Sequence, residues 1–175
     1  MTVFKKLAVA FATVFAVAGF ARAESSVEVK NVHLCCGACY TGVEKAIKKV
    51  DGASVKFDKP TKLVTITGKD DATVQKAIDA LAAAGYHGDV SGSKFKVTDD
   101  SGADSAKVKS VTLTGVHNCC GSCNSAIVKA VKAVSGVTGN TAKSKNTSFE
   151  VSGDFSPAEL VKSLNAAGFH VKVQK

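Results

Sequence analysis

Six cysteines, arranged as two similar runs, are the residues of this chain whose types and spacing could do chemistry. Both runs have the form Cys-Cys-Gly-x-Cys, and they comprise Cys35, Cys36 and Cys39 in the first half and Cys119, Cys120 and Cys123 in the second. Thiolates are soft donors, which select copper(I), zinc and similar ions over magnesium or calcium. Because only two residues separate the last two thiols of each run, these thiols can reach one ion. Each run therefore predicts a soft-metal site.

The four histidines follow the same repeated pattern as the cysteines. His33 and His117 stand two residues before each cysteine run, and His87 and His170 follow an Ala-Ala-Gly-aromatic segment in each half. Imidazole nitrogen is a common ligand of zinc beside thiolates. All four histidines are therefore candidate further ligands, although an exposed histidine at the end of a strand is also common.

An internal repeat organises the chain. Residues 32–39 recur at 116–123, and residues 83–87 recur at 166–170 with the aromatic Tyr86 replaced by Phe169. Between the copies, residues 98–107 are small and acidic, which predicts a flexible linker. The expected organisation is a signal peptide at 1–23, a first module at 24–97, the linker at 98–107 and a second module at 108–175.

Hydrophobic periodicity predicts the same elements in both modules. Alternating apolar residues precede the cysteines, and an apolar stripe with helical spacing follows them, as in Val43, Ala46, Ile47 and Val50. Two strands and a second helix come next, with Ser156 as N-cap and Pro157 at the first helical position of the second copy. A last short strand completes the order βαββαβ. The predicted fold class is α+β, with two ferredoxin-like sandwiches in tandem.

The predicted elements place the cysteines where thiolates are favoured. Cys36 lies in the loop after the first strand and Cys39 lies in the first turn of the following helix. The partial positive charge and unpaired N–H groups of a helix N-terminus lower a thiol pKa. The repeated strand–CxxC–helix arrangement is therefore a more specific signal than a CxxC pair alone.

On these residues, each module resembles a heavy-metal-associated domain, the fold of copper chaperones, of the N-terminal modules of metal-pumping P-type ATPases and of periplasmic mercury-binding proteins. The usual run of that family is Gly-Met-x-Cys-x-x-Cys, so the resemblance implies that Cys36 and Cys39 are ligands, and Cys120 and Cys123 likewise. It also implies that the aromatic residue at 86 or 169 packs close to the metal loop.

Departures from the family pattern bear on the metal. Cys35 and Cys119 occupy a place that often holds Thr, and a third thiolate there would suit zinc, cadmium or trigonal copper(I). The resemblance implies a non-enzymatic carrier or sequestering protein for copper(I), zinc, cadmium or mercury. We expect about one ion per module, with copper(I) or zinc favoured, and a metal transporter or another heavy-metal-associated domain as partner.

Two other uses of the cysteines remain open from the sequence. A disulfide could stabilise an interaction module, although one intramodule bond would leave the third thiol unpaired. A thiol-disulfide oxidoreductase could also place CxxC between a strand and a helix. No nucleophile–base–acid set or phosphate-binding loop indicates any other enzyme.

The N-terminal segment predicts export. Lys5 and Lys6 precede an apolar run from Leu7 to Phe20, and Ala21-Arg22-Ala23 supplies small residues for cleavage. We therefore expect a mature protein that begins at Glu24, is periplasmic or secreted, and has no membrane insertion after signal removal.

Composition argues against nucleic acid as a partner. The net charge is +8, and removal of residues 1–23 takes away three of the 23 Lys and Arg residues but no acid, which leaves +5. The remaining basic residues are all lysines, and they are scattered among Asp and Glu. Such a distribution indicates a solvated surface rather than a nucleic-acid footprint.

Overall fold

The computed structural model describes residues 24–174. The predicted signal peptide lies outside the described residues. Within residues 24–174, no helix is both long and apolar enough to cross a membrane.

The first module has the predicted order βαββαβ. Its elements are β1 (Ser25–Lys30), α1 (Gly37–Ile47), β2 (Ala53–Asp58), β3 (Leu63–Gly68), α2 (Asp71–Ala83) and β4 (Asp89–Val90). The strand order in the sheet is β2-β3-β1-β4, and every neighbouring pair is antiparallel. Residues of β3 alternate between buried and half-buried, which shows that one face of the sheet is covered.

The second module repeats this arrangement. Its elements are β5 (Val108–Thr114), α3 (Gly121–Lys132), β6 (Val137–Asn140), β7 (Ser148–Phe155), α4 (Pro157–Ala166) and β8 (Lys172–Val173). The strand order is β6-β7-β5-β8, again antiparallel throughout. The chain is therefore an α+β protein of two ferredoxin-like sandwiches, as the periodicity predicted. The short strand β6 contains one large apolar residue, Val137, so its sequence pattern is weaker than that of β7.

Side chains from both helices and the sheet form each core. In the first module, Val43 and Ile47 of α1 are fully buried with Ile78 of α2 and with Val29 and Ile66 of the sheet. The stripe predicted for α1 thus faces the sheet. This packing fixes the start of α1 at the end of the sheet where β1 ends.

The segment between the modules makes specific hydrogen bonds. Within the predicted linker 98–107, Asp100 accepts a hydrogen bond from His170 Nε2 at 2.8 Å, and Ser101 O accepts one from the backbone N–H of Val173 at 2.8 Å. Ser101 is buried, although the segment contains no helix or strand. Aspartate and serine side chains bond readily to nearby backbone, so a polar segment can be held in place without a regular element. The flexible linker expected from composition is instead held against the second module.

Candidate metal centre

The helix starts place the thiols as the sequence predicted. Cys36 is the N-cap of α1, with an extended backbone, and the N–H of Cys39 donates to Cys36 O at 2.9 Å. Cys120 is the N-cap of α3 in the same conformation. Neither cap residue has a side-chain oxygen to offer the backbone N–H groups of its helix. The positive end of each helix dipole is therefore directed at thiol sulfur rather than at a capping oxygen.

The two cysteine runs lie against each other. Cys35 Sγ is 3.4 Å from Cys123 Sγ and 3.5 Å from Cys120 Sγ. Cys119 Sγ is 3.7 Å from Cys36 Sγ and 3.8 Å from Cys39 Sγ. All six cysteines are free thiols. Sequence reasoning treated each module separately, whereas the structure brings all six candidate cysteine ligands into one cluster.

His33 and His117 each lie beside the opposite module. His117 Nε2 is 3.4 Å from Cys39 Sγ and 3.2 Å from the Tyr86 hydroxyl, and its ring stacks on Tyr86 at 4.1 Å. His33 stacks on Phe169 at 4.5 Å, and its buried Nε2 has no hydrogen-bond partner. An unpartnered buried ring nitrogen is a ligand atom that a metal ion could satisfy.

His87 and His170 are brought together with each other. Their Nδ1 atoms are 3.4 Å apart, and His170 Nε2 also bonds Asp100. Within residues 24–174, the groups of side chains close enough to hold one ion include His33 and His117 but neither His87 nor His170.

Each such group takes donors from both modules. The three groups are Cys39 with His117, Cys119 and Cys123; His33 with Cys35 and Cys123; and Cys35 with Cys36 and Cys120. The donor atoms in a group lie within 4.8 Å of one another. The first group offers three thiols and one imidazole, a ligand set that suits tetrahedral zinc.

The pKa of each thiol is shifted in a direction that depends on its position. Backbone hydrogen bonds at the start of α3, chiefly from Cys123, lower the pKa of Cys120 to about 6. Desolvation and hydrogen bonds with neighbouring thiols raise the pKa of Cys35 and of Cys119. Burial, reinforced by His33, lowers the pKa of His117 to about 4, so this imidazole is neutral at pH 7 and can act as a ligand.

The Tyr86 side chain packs against the first cysteine run, and Phe169 packs against His33 of the first module. Tyr86 and Phe169 are fully buried, and the Tyr86 hydroxyl donates to Cys39 O at 3.0 Å. Burial and the surrounding thiols raise the pKa of Tyr86, so its hydroxyl stays protonated and able to donate.

Two further residues support the cysteine runs, and sequence reasoning missed the role of the first of them. Gly42 of α1 leaves room for the Tyr86 hydroxyl, which a Cβ at position 42 would overlap. A glycine inside an apolar-striped helix is the signal that could have found it. Asn118 is buried and its amide donates to Lys143 O at 2.8 Å, which ties down the second metal loop. Its replacement of the apolar Leu34 of the first copy marked the position as unusual.

Comparisons with known proteins bear directly on this site. The heavy-metal-associated domain model matches residues 26–87, which lie in the first module. The mercuric transport protein periplasmic component of Shigella flexneri is 40% identical over 85 residues, which are 47% of this chain and 92% of that protein. The chain belongs to the heavy-metal-associated domain family.

Two solved structures are also similar to this heavy-metal-associated domain protein. Oxidised MerP from Ralstonia metallidurans CH34 is 38% identical with a TM-score of 0.35, over 40% of this chain and 100% of that chain. The N-terminal soluble domains of Bacillus subtilis CopA are 16% identical with a TM-score of 0.33, over 87% of this chain and 95% of that chain.

Proposed function

We propose that this chain is an exported, non-enzymatic carrier or sequestering protein for soft metal ions, which its cysteine runs bind as thiolates. The observation that carries the proposal is the convergence of six free thiols at the starts of α1 and α3. Membership of the heavy-metal-associated domain family supports it. Copper(I) and zinc are the favoured ions because both accept thiolate, and zinc also accepts neutral imidazole.

Export and delivery belong to the same proposal. The relative from Shigella flexneri is named as a periplasmic component of mercuric transport, and residues 1–23 have the pattern of a cleaved signal peptide. A soft ion held by exposed and half-buried sulfurs such as Cys35 and Cys36 can be passed to another thiolate site by ligand exchange. We therefore propose a metal transporter or another heavy-metal-associated domain as partner, and a periplasmic or secreted location.

Metal retention by the full exported chain tests the proposal. The reduced protein, handled without oxygen, is expected to retain copper(I) or zinc against a competing chelator and to release magnesium and calcium freely. The matched control replaces all six cysteines by serine, with the circular dichroism spectrum as a check of folding. Loss of retention in the control supports thiolate binding. A wild-type chain that retains no soft ion but catalyses thiol–disulfide exchange would instead support an oxidoreductase.

A further inference from the structure

The six sulfurs form a strip of triangles that crosses the boundary between the modules. The triangles are Cys35-Cys120-Cys123, Cys35-Cys39-Cys123, Cys39-Cys119-Cys123 and Cys36-Cys39-Cys119, with sulfur–sulfur edges of 3.4–3.8 Å. Exchange of the two modules maps this strip onto itself. Every triangle contains sulfurs from both modules, so no three-thiol face belongs to one module alone.

We propose that the two modules together form one shared site for a polynuclear copper(I)–thiolate cluster, with copper ions at the three-sulfur faces. This inference rests on the proposed soft-metal function and replaces the expected one ion per module by a single intermodule centre. Cys39 and Cys123 each belong to three faces, so their sulfurs would bridge several ions. Bridging by thiolate is what separates a cluster from a set of independent sites.

The sulfur–sulfur distances match short metal–thiolate bonds. With a metal–sulfur bond of about 2.3 Å, sulfurs lie roughly 4.0 Å apart around a trigonal ion and roughly 3.8 Å apart around a tetrahedral one. A linear two-thiolate ion at the same bond length would need roughly 4.6 Å. The observed 3.4–3.8 Å is therefore closer to the three- and four-coordinate arrangements than to a linear one.

Charge favours more than one ion. Cys39 and Cys123 are fully buried, and their sulfurs are 3.8 Å apart. A thiolate at either buried position is costly unless cations lie next to it. Each of these two sulfurs borders three faces, so copper(I) ions on all four faces, about four per chain, would place positive charge against both.

A close backbone contact holds the two modules in this arrangement. The N–H of His87 donates to Gly168 O at 3.1 Å, and the N–H of His170 donates to Gly85 O at 3.0 Å. Tyr86 and Phe169 form an antiparallel bridge between these bonds. The juxtaposition of the cysteine runs is thus supported by contacts outside the runs.

Two glycines allow the backbones of the two modules to approach this closely. Gly85 has φ of +85° and Gly168 has φ of +89°. A Cβ on Gly85 would overlap backbone atoms of Gly115 and His117 in the second module, and one on Gly168 would overlap the backbone around His33 in the first. Each module therefore uses its α2–β4 or α4–β8 turn to approach the metal loop of the other.

Copper loading of the full chain tests the shared site. Anaerobic titration of the reduced protein with copper(I), against a competing chelator, is expected to saturate cooperatively at about four ions, with a short copper–copper distance in X-ray absorption. Saturation at two independent ions without a copper–copper distance would overturn the cluster and leave the proposed soft-metal function standing. Absence of any retained copper(I) or zinc would overturn the proposed function itself.

Single cysteine variants separate the cluster from two separate CxxC sites. Cys36 belongs to one face and Cys39 to three, so Cys36→Ser should lose about one copper ion and Cys39→Ser about three. Two separate sites predict equal losses, because Cys36 and Cys39 would be the paired ligands of one ion. Equal losses would therefore contradict the proposal. This test uses no variant of the module boundary, so it does not depend on how stable such variants are.

A matched glycine pair tests the contribution of the module boundary. Gly85→Ala should abolish the copper–copper distance and reduce the load, since the added Cβ meets backbone of the other module. Gly52→Ala is the control, because Gly52 also has positive φ, at +75°, but the three atoms nearest to its Cβ would all belong to the flexible Lys69 side chain. An intact cluster in a folded Gly85→Ala chain, or its equal loss in both variants, would contradict the role assigned to the boundary.

Discussion

The contact between Gly42 and Tyr86 provides a quantitative test of how α1 supports the first metal loop. Gly42 lies within α1, where alanine would ordinarily be the better helix former by about 1 kcal/mol. A Cβ at this position would overlap the Tyr86 hydroxyl, and the Tyr86 Cζ atom would be 3.2 Å away. Gly42→Ala therefore sets helix propensity against the packing of a fully buried tyrosine.

The free energies can be estimated for each variant. Overpacking a core costs about 1–3 kcal/mol, and displacement of the hydroxyl from Cys39 O loses a hydrogen bond of about 1 kcal/mol. After the helical gain, Gly42→Ala should destabilise the first module by about 2 kcal/mol. Tyr86→Phe alone should cost about 1–2 kcal/mol, because it removes the hydroxyl that bonds both Cys39 O and His117 Nε2.

A double-mutant cycle isolates the contact. In the chain carrying both Gly42→Ala and Tyr86→Phe the overlapping oxygen is gone, so stability should return to within about 1 kcal/mol of wild type, with a coupling energy of about 2–3 kcal/mol. Urea unfolding of the reduced, metal-free chain measures all four proteins. Gly37→Ala is the control, since a Cβ there meets no atom within 4 Å. A neutral Gly42→Ala variant, or strictly additive effects, would refute this account of the loop.

Three further predictions concern the second module, the N-terminus and the independence of the modules. Ser156→Ala should destabilise the second module by about 1 kcal/mol, because the Ser156 hydroxyl accepts a hydrogen bond from the N–H of Glu159 at the start of α4. Urea unfolding measures this change, and an unchanged free energy of unfolding would show that the cap contributes nothing. Intact mass of the exported protein should correspond to a chain beginning at Glu24, and retention of residues 1–23 would contradict the signal-peptide prediction. Residues 24–100 and 106–175, expressed apart, should each give the circular dichroism spectrum of a folded α+β module, because all four strands of each sheet come from one module. Each should retain no more than about one soft ion by native mass spectrometry, and an unfolded half or a polynuclear single module would be the contrary result.

The elements of each module could be predicted because they depend on local patterns. The apolar stripe of Val43 and Ile47 determined which face of α1 is buried, and Ser156 with Pro157 determined where α4 begins. The positions of Cys36 and Cys39 at the start of a helix followed from the same patterns. These features need only the spacing of side chains along one element.

The relative placement of the two modules could not be predicted from those patterns. It depends on the backbone contacts of Gly85 and Gly168 and on the bridge between Tyr86 and Phe169. Neither contact produces a periodic pattern in the sequence. For the same reason the sequence could not show that His117 approaches Cys39, or that His87 faces His170. The repeat indicated two equivalent sites, but only the geometry shows that their donors meet.

The intramolecular repeat has a physical consequence once the two cysteine runs face each other. An interface with two-fold symmetry uses the same surface patch twice, so each copy must present the same donors at the same places. Cys35 contacts Cys120 as Cys119 contacts Cys36, and Cys39 meets its own counterpart Cys123. The edge strands β2 and β6, which take no part in this contact, differ in length. The tether between the modules makes their docking intramolecular, with an effective concentration on the order of millimolar for a short linker. A shared thiolate cluster can therefore form at protein concentrations where two separate modules would remain apart, and the hydrogen bonds of Asp100 and Ser101 further restrict the orientations that the second module can take.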